Sequence, residues 1–438
     1  MKVGMPHRQI KWEVLAKETG IKVKSEVHQK QEPPIDEEGT PPYQMRYRWV
    51  ILALVWLLYC SFGLVSRSIA PLITPILKDL NISYSQMGII LGAWPLTYIM
   101  VAAMGGAIID KWGIRKSLFA GIIIIGLSAS LRYFTNGFAT MFLCVALFGL
   151  GGPMISIGCP KTISVWFRGK GRAAAVGVYL TGPAVGGLIA LSLTNSVVMP
   201  LTGYSWRLTF VDYGLVAFAA ALVWWFLAKD FKPAGVEQRT SIVEVFRGLI
   251  SIRNVQLILI IGFLSMVIGH GLTNWLPKIL ETSGLSPEAA GFAASIPVLV
   301  GIPTVLFVPR LVPPRLRGRI VVLASLAGAI VLMILATASG GFLTTGLVLY
   351  GLVFRCAMPL LILILMDLPE VGSRYMGSAG GMYFCVAEIG GFTGPYMMGA
   401  LVDLTGNFLT GVYTLAGLSV TMAVMALLLK TKPAFVTP

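Results

Sequence analysis

Charge is scarce in this chain. Of 438 residues only 12% are Asp, Glu, Lys or Arg, while 56% are hydrophobic; soluble domains carry about a quarter charged residues. That imbalance excludes an ordinary soluble domain. Cysteines number five, Cys60, Cys144, Cys159, Cys356 and Cys385, all in apolar stretches and without a CxxC pair. A disulfide framework and a zinc site are therefore not expected, and small packing residues are the simpler account. No P-loop is present, so no ATP-driven step is expected. No catalytic triad or metal-ligand cluster stands out either, so the chain reads as neither an enzyme nor a metal or cofactor protein. A secretory signal is missing too. Residues 1–45 hold seven Lys/Arg and seven Asp/Glu, with Pro33-Pro34 and Pro41-Pro42 and no apolar core, and read as a flexible cytoplasmic tail.

The apolar residues come in continuous blocks of membrane-crossing length, about 20 residues each. In lipid only helices or closed barrels satisfy every backbone group, and unbroken runs favour helices over short alternating strands. Twelve spans are expected, at 48–76, 84–108, 117–133, 139–163, 172–199, 207–228, 253–277, 287–309, 319–338, 342–366, 375–402 and 408–430. The longest polar connection, Lys229 to Arg253, divides them six and six. The expected organisation is a tail over 1–45, a six-helix bundle over 46–230, a cytoplasmic linker over 231–252, a second bundle over 253–430 and a short tail over 431–438.

The net charge of +15 belongs to the connections and does not signal nucleic-acid binding. One set carries Lys111, Arg115 and Lys116, then Arg168, Lys170 and Arg172, then the linker, then Arg310, Arg315, Arg317 and Arg319, Arg374, and Lys430 and Lys432. The other carries only Lys78, Arg132, Arg207 and Lys278. The positive-inside rule makes the first set cytoplasmic, which puts both termini inside.

The two halves repeat. Ser83 and Gly88 match Ser286 and Gly291 at an offset of 203, and ALFGL at Ala146 matches VLYGL at Val348 at an offset of 202. GVYLTGPAVGG from Gly177 matches GMYFCVAEIGG from Gly381 at an offset of 204. Three alignments at nearly one spacing point to parallel six-span repeats, a transporter architecture with its site between the halves.

Between the second and third spans the chain reads GGAIIDKWGIRKS, Gly105 to Ser117. Gly106, Asp110, Lys111, Gly113, Arg115 and Lys116 occupy the positions of the signature loop of the major facilitator superfamily, and the chain resembles that family from residue 46 to 430. Gly113 suits the turn. Asp110 can pair with basic residues or a helix N-terminus, a conformational latch able to hold the halves together in one state. The corresponding stretch VPRLVPPRLRGR, Val308 to Arg319, keeps the bases but has no Asp, so the latch should be asymmetric. Within the superfamily, RSIAPLITPILKDLNISYSQMGIILGAWPLTY resembles the anion:cation symporters. GCPKTISVWFRGKGRAAAVGVYLTGPAVGG, HGLTNWLPKIL and EIGGFTGP are similar to cyanate-permease-like and nitrate-porter-like members. Ser66 stands where many anion:cation symporters carry an acid beside the arginine.

The resemblance implies an all-α fold of two pseudo-symmetric six-helix bundles whose first, fourth, seventh and tenth spans line a central cavity. Three of the four ionisable residues well inside spans, Arg67, His270 and Arg355, then fall on cavity helices; the fourth is Glu388. The 203 offset matches Arg67 with His270. Arg67 either snorkels to water or faces the cavity and holds an anion, for which its rigid fork is suited. Arg355 and Glu388 form either an inert pair or a substrate cation and a proton carrier; His270 is the alternative carrier or a satisfied core histidine. Asn274, one turn on from His270, and Tyr179 and Tyr383, matched by the repeat, are further substrate-binding candidates. Trp94, Tyr98 and Trp275 are either cavity aromatics or packing. The function implied is a secondary transporter of the inner or plasma membrane, moving a small organic or inorganic anion by alternating access with protons, without cofactor and as a monomer. The alternatives are a proton antiporter exporting a hydrophobic compound and a transporter-fold sensor without flux.

Overall fold

The computed structural model describes residues 42–167, 169–229, 248–337, 340–368 and 370–429. Most of the expected tail over 1–45, most of the linker over 231–252 and the tail over 431–438 lie outside these residues. From Arg48 onward the chain forms one compact unit. No strand occurs among the described residues.

Twelve stretches of helix match the expected spans. The first runs Pro42–Arg67, breaks, and resumes as Ile73–Leu80. The second to sixth are Tyr84–Trp112, Ile114–Ser130, Phe138–Trp166, Gly169–Leu193 and Trp206–Leu227. The seventh to ninth are Arg253–Thr282, Pro287–Leu311 and Pro314–Thr337. The tenth is Gly340–Phe354 and, after a break, Ala357–Asp367. The eleventh and twelfth are Gly372–Thr405 and Leu409–Leu427. Eleven of the twelve are long and apolar enough to cross a membrane. The other is the eleventh, whose 34 residues are diluted by glycines, Glu388 and Asp403 and which packs on the seventh and second helices.

The repeat has structural content. Ser83 and Ser286 both cap helix starts, accepting from the backbone N–H groups of Gln86 and Ala289, which satisfies donors that a helix leaves free. Gly88 and Gly291 both sit where the first six helices touch the last six. A Cβ at Gly88 would lie 2.5 Å from the Pro395 carbonyl oxygen, and one at Gly291 would lie 2.3 Å from that of Leu191. The second helix is thus drawn onto the eleventh and the eighth onto the fifth, as small residues allow in membranes.

Both breaks share a local feature. Arg67 is followed four residues later by Pro71, and Arg355 by Pro359. Proline has no N–H to give to the carbonyl four residues back, so each arginine's carbonyl loses its helical donor, although prolines such as Pro277 and Pro395 sit inside unbroken helices. Each arginine lies at the C-terminal end of a half-helix, where the backbone dipole favours positive charge.

Bridges between the two sets of helices gather at the end away from the basic connections. Asp403 of the eleventh helix accepts from the N–H groups of Tyr84 (3.0 Å) and Ser85 (2.7 Å) at the start of the second. Lys278 donates to Thr74 at 2.8 Å, and Thr74 donates to Glu281. Asn195 lies in a π-helical turn, Thr194–Val198, and donates to the carbonyls of Pro71 (3.1 Å) and Pro287 (3.2 Å). Trp275 lies tilted against Tyr84, 5.9 Å between centroids, and donates to the Pro395 carbonyl, so it packs at this end.

At the basic end the described ion pairs stay within one set. Asp110 pairs with Lys161 of the fourth helix, and Arg317 with Asp367. Arg115 lies over the Trp225 ring and donates to its carbonyl, while Trp224 donates to the Arg115 carbonyl. Gly113, at φ 84°, turns the loop. Gly106 has open space around its Cα, and Lys111 and Lys116 are exposed. Asp110 is therefore held inside the first set in this state, although its position in the motif points to a tie between halves. Arg132 also departs from expectation. It is not a solvated loop charge but is 1% exposed, within a 3₁₀ turn that ends the third helix.

Candidate functional site

Arg67 points between the two sets of helices, not toward lipid. Its Nη1 donates to Thr273 Oγ1 at 2.9 Å and Asn274 Oδ1 at 3.2 Å, both on the seventh helix. Its stem crosses Gly187 of the fifth helix, where a Cβ would be 3.2 Å from Arg67 Cγ. The repeat-related glycine, Gly391, serves the repeat-related residue. A Cβ at Gly391 would meet His270 Nδ1 at 3.2 Å, and Glu388 Oε2 at 2.7 Å. His270 and Glu388 thus converge on one bare backbone position. The His270 ring lies 5.7 Å from Trp94 of the second helix, which brings the two sets together again. Trp94 belongs to an aromatic wall with Phe62, Phe148 and Tyr98.

Arg355 lies against the eighth helix. A Cβ at Gly301 would be 2.7 Å from its Cγ, so the missing side chain makes room for the arginine stem. Arg355 makes no ion pair or hydrogen bond among the described residues, so the inert pair with Glu388, one of the two alternatives, is absent among them. Arg67 and Glu388 both meet the seventh helix, at Thr273 and Asn274 and beside His270, and Phe354, next to Arg355, meets it at Gly269.

Several buried polar atoms here have no hydrogen-bond partner: His270 Nδ1, Asn274 Nδ2, Glu388 Oε2, and the hydroxyls of Tyr350 and Tyr383. Buried polar groups are normally satisfied; His270 Nδ1, Asn274 Nδ2 and Glu388 Oε2 gather where Arg67 and Gly391 meet the seventh helix, and these orphans mark a place suited to something polar. Tyr383 packs over Gly262, where a Cβ would be 2.5 Å from Tyr383 Cε2. Its repeat partner Tyr179 stacks on Tyr59 at 6.0 Å, and is placed in the aromatic wall rather than beside Arg67. Tyr350, stacked 5.2 Å from Phe354, is with Thr273 a residue of this region that sequence reasoning missed. It occupies the position matched by Phe148 in the first half, so the repeat itself exposes the added hydroxyl.

Twelve long helical stretches among the described residues, in two repeated sets with arginines at broken helices between them, define a membrane transporter of the alternating-access kind. The profile of the Major Facilitator Superfamily matches residues 55–395, and the chain belongs to that family. It is 24% identical over 393 residues to the hexuronate transporter of Bacillus subtilis, covering 84% of this chain and 91% of that one. It is 26% identical over 201 residues to the galacturonate transporter of Dickeya chrysanthemi, covering 45% and 57%. Among solved structures, the E. coli fucose:proton symporter superposes with a TM-score of 0.61 at 15% identity, covering 88% of this chain and all of that one; this likeness concerns the fold.

Proposed function

We propose that this chain carries a small hydroxylated carboxylate, of the uronate kind, across the inner or plasma membrane together with a proton. The observation that carries the reading is the charge balance of the site. Two arginines lie there with one carboxylate, and neither arginine is ion-paired among the described residues. A carboxylate substrate supplies the missing negative charge and fits a guanidinium fork bidentately. Asn274 Nδ2 and the Tyr350 and Tyr383 hydroxyls, all unpartnered, are neutral groups suited to sugar hydroxyls. The hexuronate and galacturonate transporters among its relatives support the same substrate class.

Glu388 is the proton carrier in this reading, with His270 beside it as the second candidate. Protonation of Glu388 leaves both arginines free for the substrate; loss of the proton returns a competing negative charge to them. The carrier works as a monomer of two six-helix bundles with both termini in the cytoplasm, and it performs no covalent chemistry. Since the bridges gather at the end away from the basic connections, the described state is closed outward and opens toward the cytoplasm. The loop from Gly106 to Lys116 locks the opposite state, when Asp110 exchanges Lys161 for a partner in the other bundle.

Uptake of labelled galacturonate into proteoliposomes carrying an inward proton gradient tests the proposal. Uptake that collapses in both Arg67→Ala and Arg355→Ala, with the protein still inserted, supports it. Undiminished uptake in both variants overturns it.

A further inference from the structure

A third arginine lies in the first set of helices, and nothing above uses it. Arg132 is 1% exposed, and no carboxylate pairs with it among the described residues. Neutral groups from three places, the first break and the third and sixth helices, offset part of its cost, while Nε has no hydrogen-bond partner. Nη1 donates to Ser68 Oγ at 3.2 Å and Nη2 to Ser128 Oγ at 3.4 Å. The guanidinium carbon sits 4.8 Å from the centre of the Phe210 ring on the sixth helix, a cation–π arrangement. Ser128 in turn donates a hydrogen bond to the Cys144 carbonyl of the fourth helix at 2.7 Å.

The Ser68 contact is the informative one. Ser68 is the residue directly after Arg67, at the break, and is itself fully buried. Its hydroxyl donates to the Val65 carbonyl at 2.8 Å, and its N–H points to the same oxygen at 3.4 Å. Val65 belongs to the last turn of the half-helix, where carbonyls lack intrahelical donors. The chain Arg132, Ser68, Val65 therefore fastens the frayed end of the half-helix that Pro71 leaves open. Arg67 projects from that end toward Thr273 and Asn274.

The fold does not demand the charge. The position 203 residues on from Arg132 is Leu335, on the ninth helix, so the repeated helix does without an arginine there. His270, the repeat partner of Arg67, lies mid-helix in Arg253–Thr282 and has no break to fasten. At the second break the counterpart contact is Cys356 Sγ to the Val353 carbonyl at 2.9 Å, and no arginine stands behind it among the described residues.

We infer that Arg132 is a positioning residue for transport: through Ser68 it fixes the end of the first half-helix, and so sets where the Arg67 guanidinium meets the substrate anion. This rests on the assignment of Arg67 to the substrate.

The test uses the purified full-length protein, with Arg132→Gln and, as a variant that leaves the buried cation in place, Ser68→Ala. Two readouts are taken. Hydrogen exchange of the backbone over residues 65–72 should be faster in both variants, with the rest of the first six helices unchanged. Galacturonate affinity should fall roughly tenfold in both, and Arg132→Gln should add nothing further in an Arg67→Ala background, as coupled residues behave. Unchanged exchange over 65–72 in both variants overturns the brace. Faster exchange across all six helices with unchanged galacturonate affinity also overturns it, since that is the mark of a general packing role. If the unmodified protein binds no galacturonate, the substrate reading fails by itself, and the exchange readout still decides whether Arg132 holds the break.

Discussion

Asp403 offers the most direct handle on the conformational cycle. Its carboxylate caps the start of the second helix from the eleventh, through Tyr84 N–H, Ser85 N–H and the Ser85 hydroxyl. The second helix keeps its own cap in Ser83, so Asp403→Ala should leave folding intact and act on the contact between the two sets. Caps contribute about 1 kcal/mol, and hydrogen bonds to charged groups about 1.5–3 kcal/mol. Asp403 is exposed, which trims the total to about 1–2 kcal/mol. Because the contact cannot survive separation of these helix ends, that energy biases the closed state alone. Its loss should raise the population open at this end roughly 5–30-fold. Pulsed dipolar spectroscopy between spin labels at Tyr204 and Asn407, both exposed at this end, reads the change as growth of a longer distance. An unchanged distance distribution would refute the reasoning, because it would mean that the cap does not distinguish the two states.

Glu388→Gln should abolish the acceleration of galacturonate uptake by a proton gradient while retaining counterflow; uptake still driven by the gradient would move proton coupling to His270. Gly301→Ala places a Cβ 2.7 Å from Arg355 Cγ, and should raise the KM for galacturonate several-fold without changing the amount of inserted protein in membrane fractions. Gly88→Ala sets a Cβ 2.5 Å from a backbone oxygen that cannot move aside cheaply. It should spread the second and eleventh helices and lengthen the same spin-label distance as Asp403→Ala does. Lys161→Ala leaves Asp110 without its partner, and should shift the equilibrium toward whichever state gives Asp110 a partner in the other bundle, read by the same distance.

The architecture was legible because it follows from transfer of apolar blocks into lipid and from internal repetition. Serine caps, the glycines at both seams and the match of Arg67 to His270 all hold to one spacing. The site was half legible. Arg67, His270, Asn274 and Glu388 stand out as costly polar groups in apolar runs, and they do lie between the helix sets. Their pairing was not legible: nothing in the spacing tells whether Arg355 reaches Glu388 or rests on Gly301. Arg132 was misread because a charge near the end of a span looks solvated until Phe210 and Ser68 are packed around it. The breaks carry a readable signal, an arginine with a proline four residues on at both Arg67–Pro71 and Arg355–Pro359, which hydropathy alone passes over.

Asn195 has a consequence for engineering. Its two acceptors, on Pro71 and Pro287, are main-chain oxygens, and Pro75, having no N–H, leaves the first of them unclaimed within its own helix. No side-chain replacement at the acceptor positions can delete those oxygens. The strength of this one bridge is therefore adjustable from one residue: shortening Asn195 to Ser would weaken it and loss of the amide would remove it, with the Asp403 and Thr74 bridges left in place, giving a graded dial on which side of the membrane the protein prefers to face.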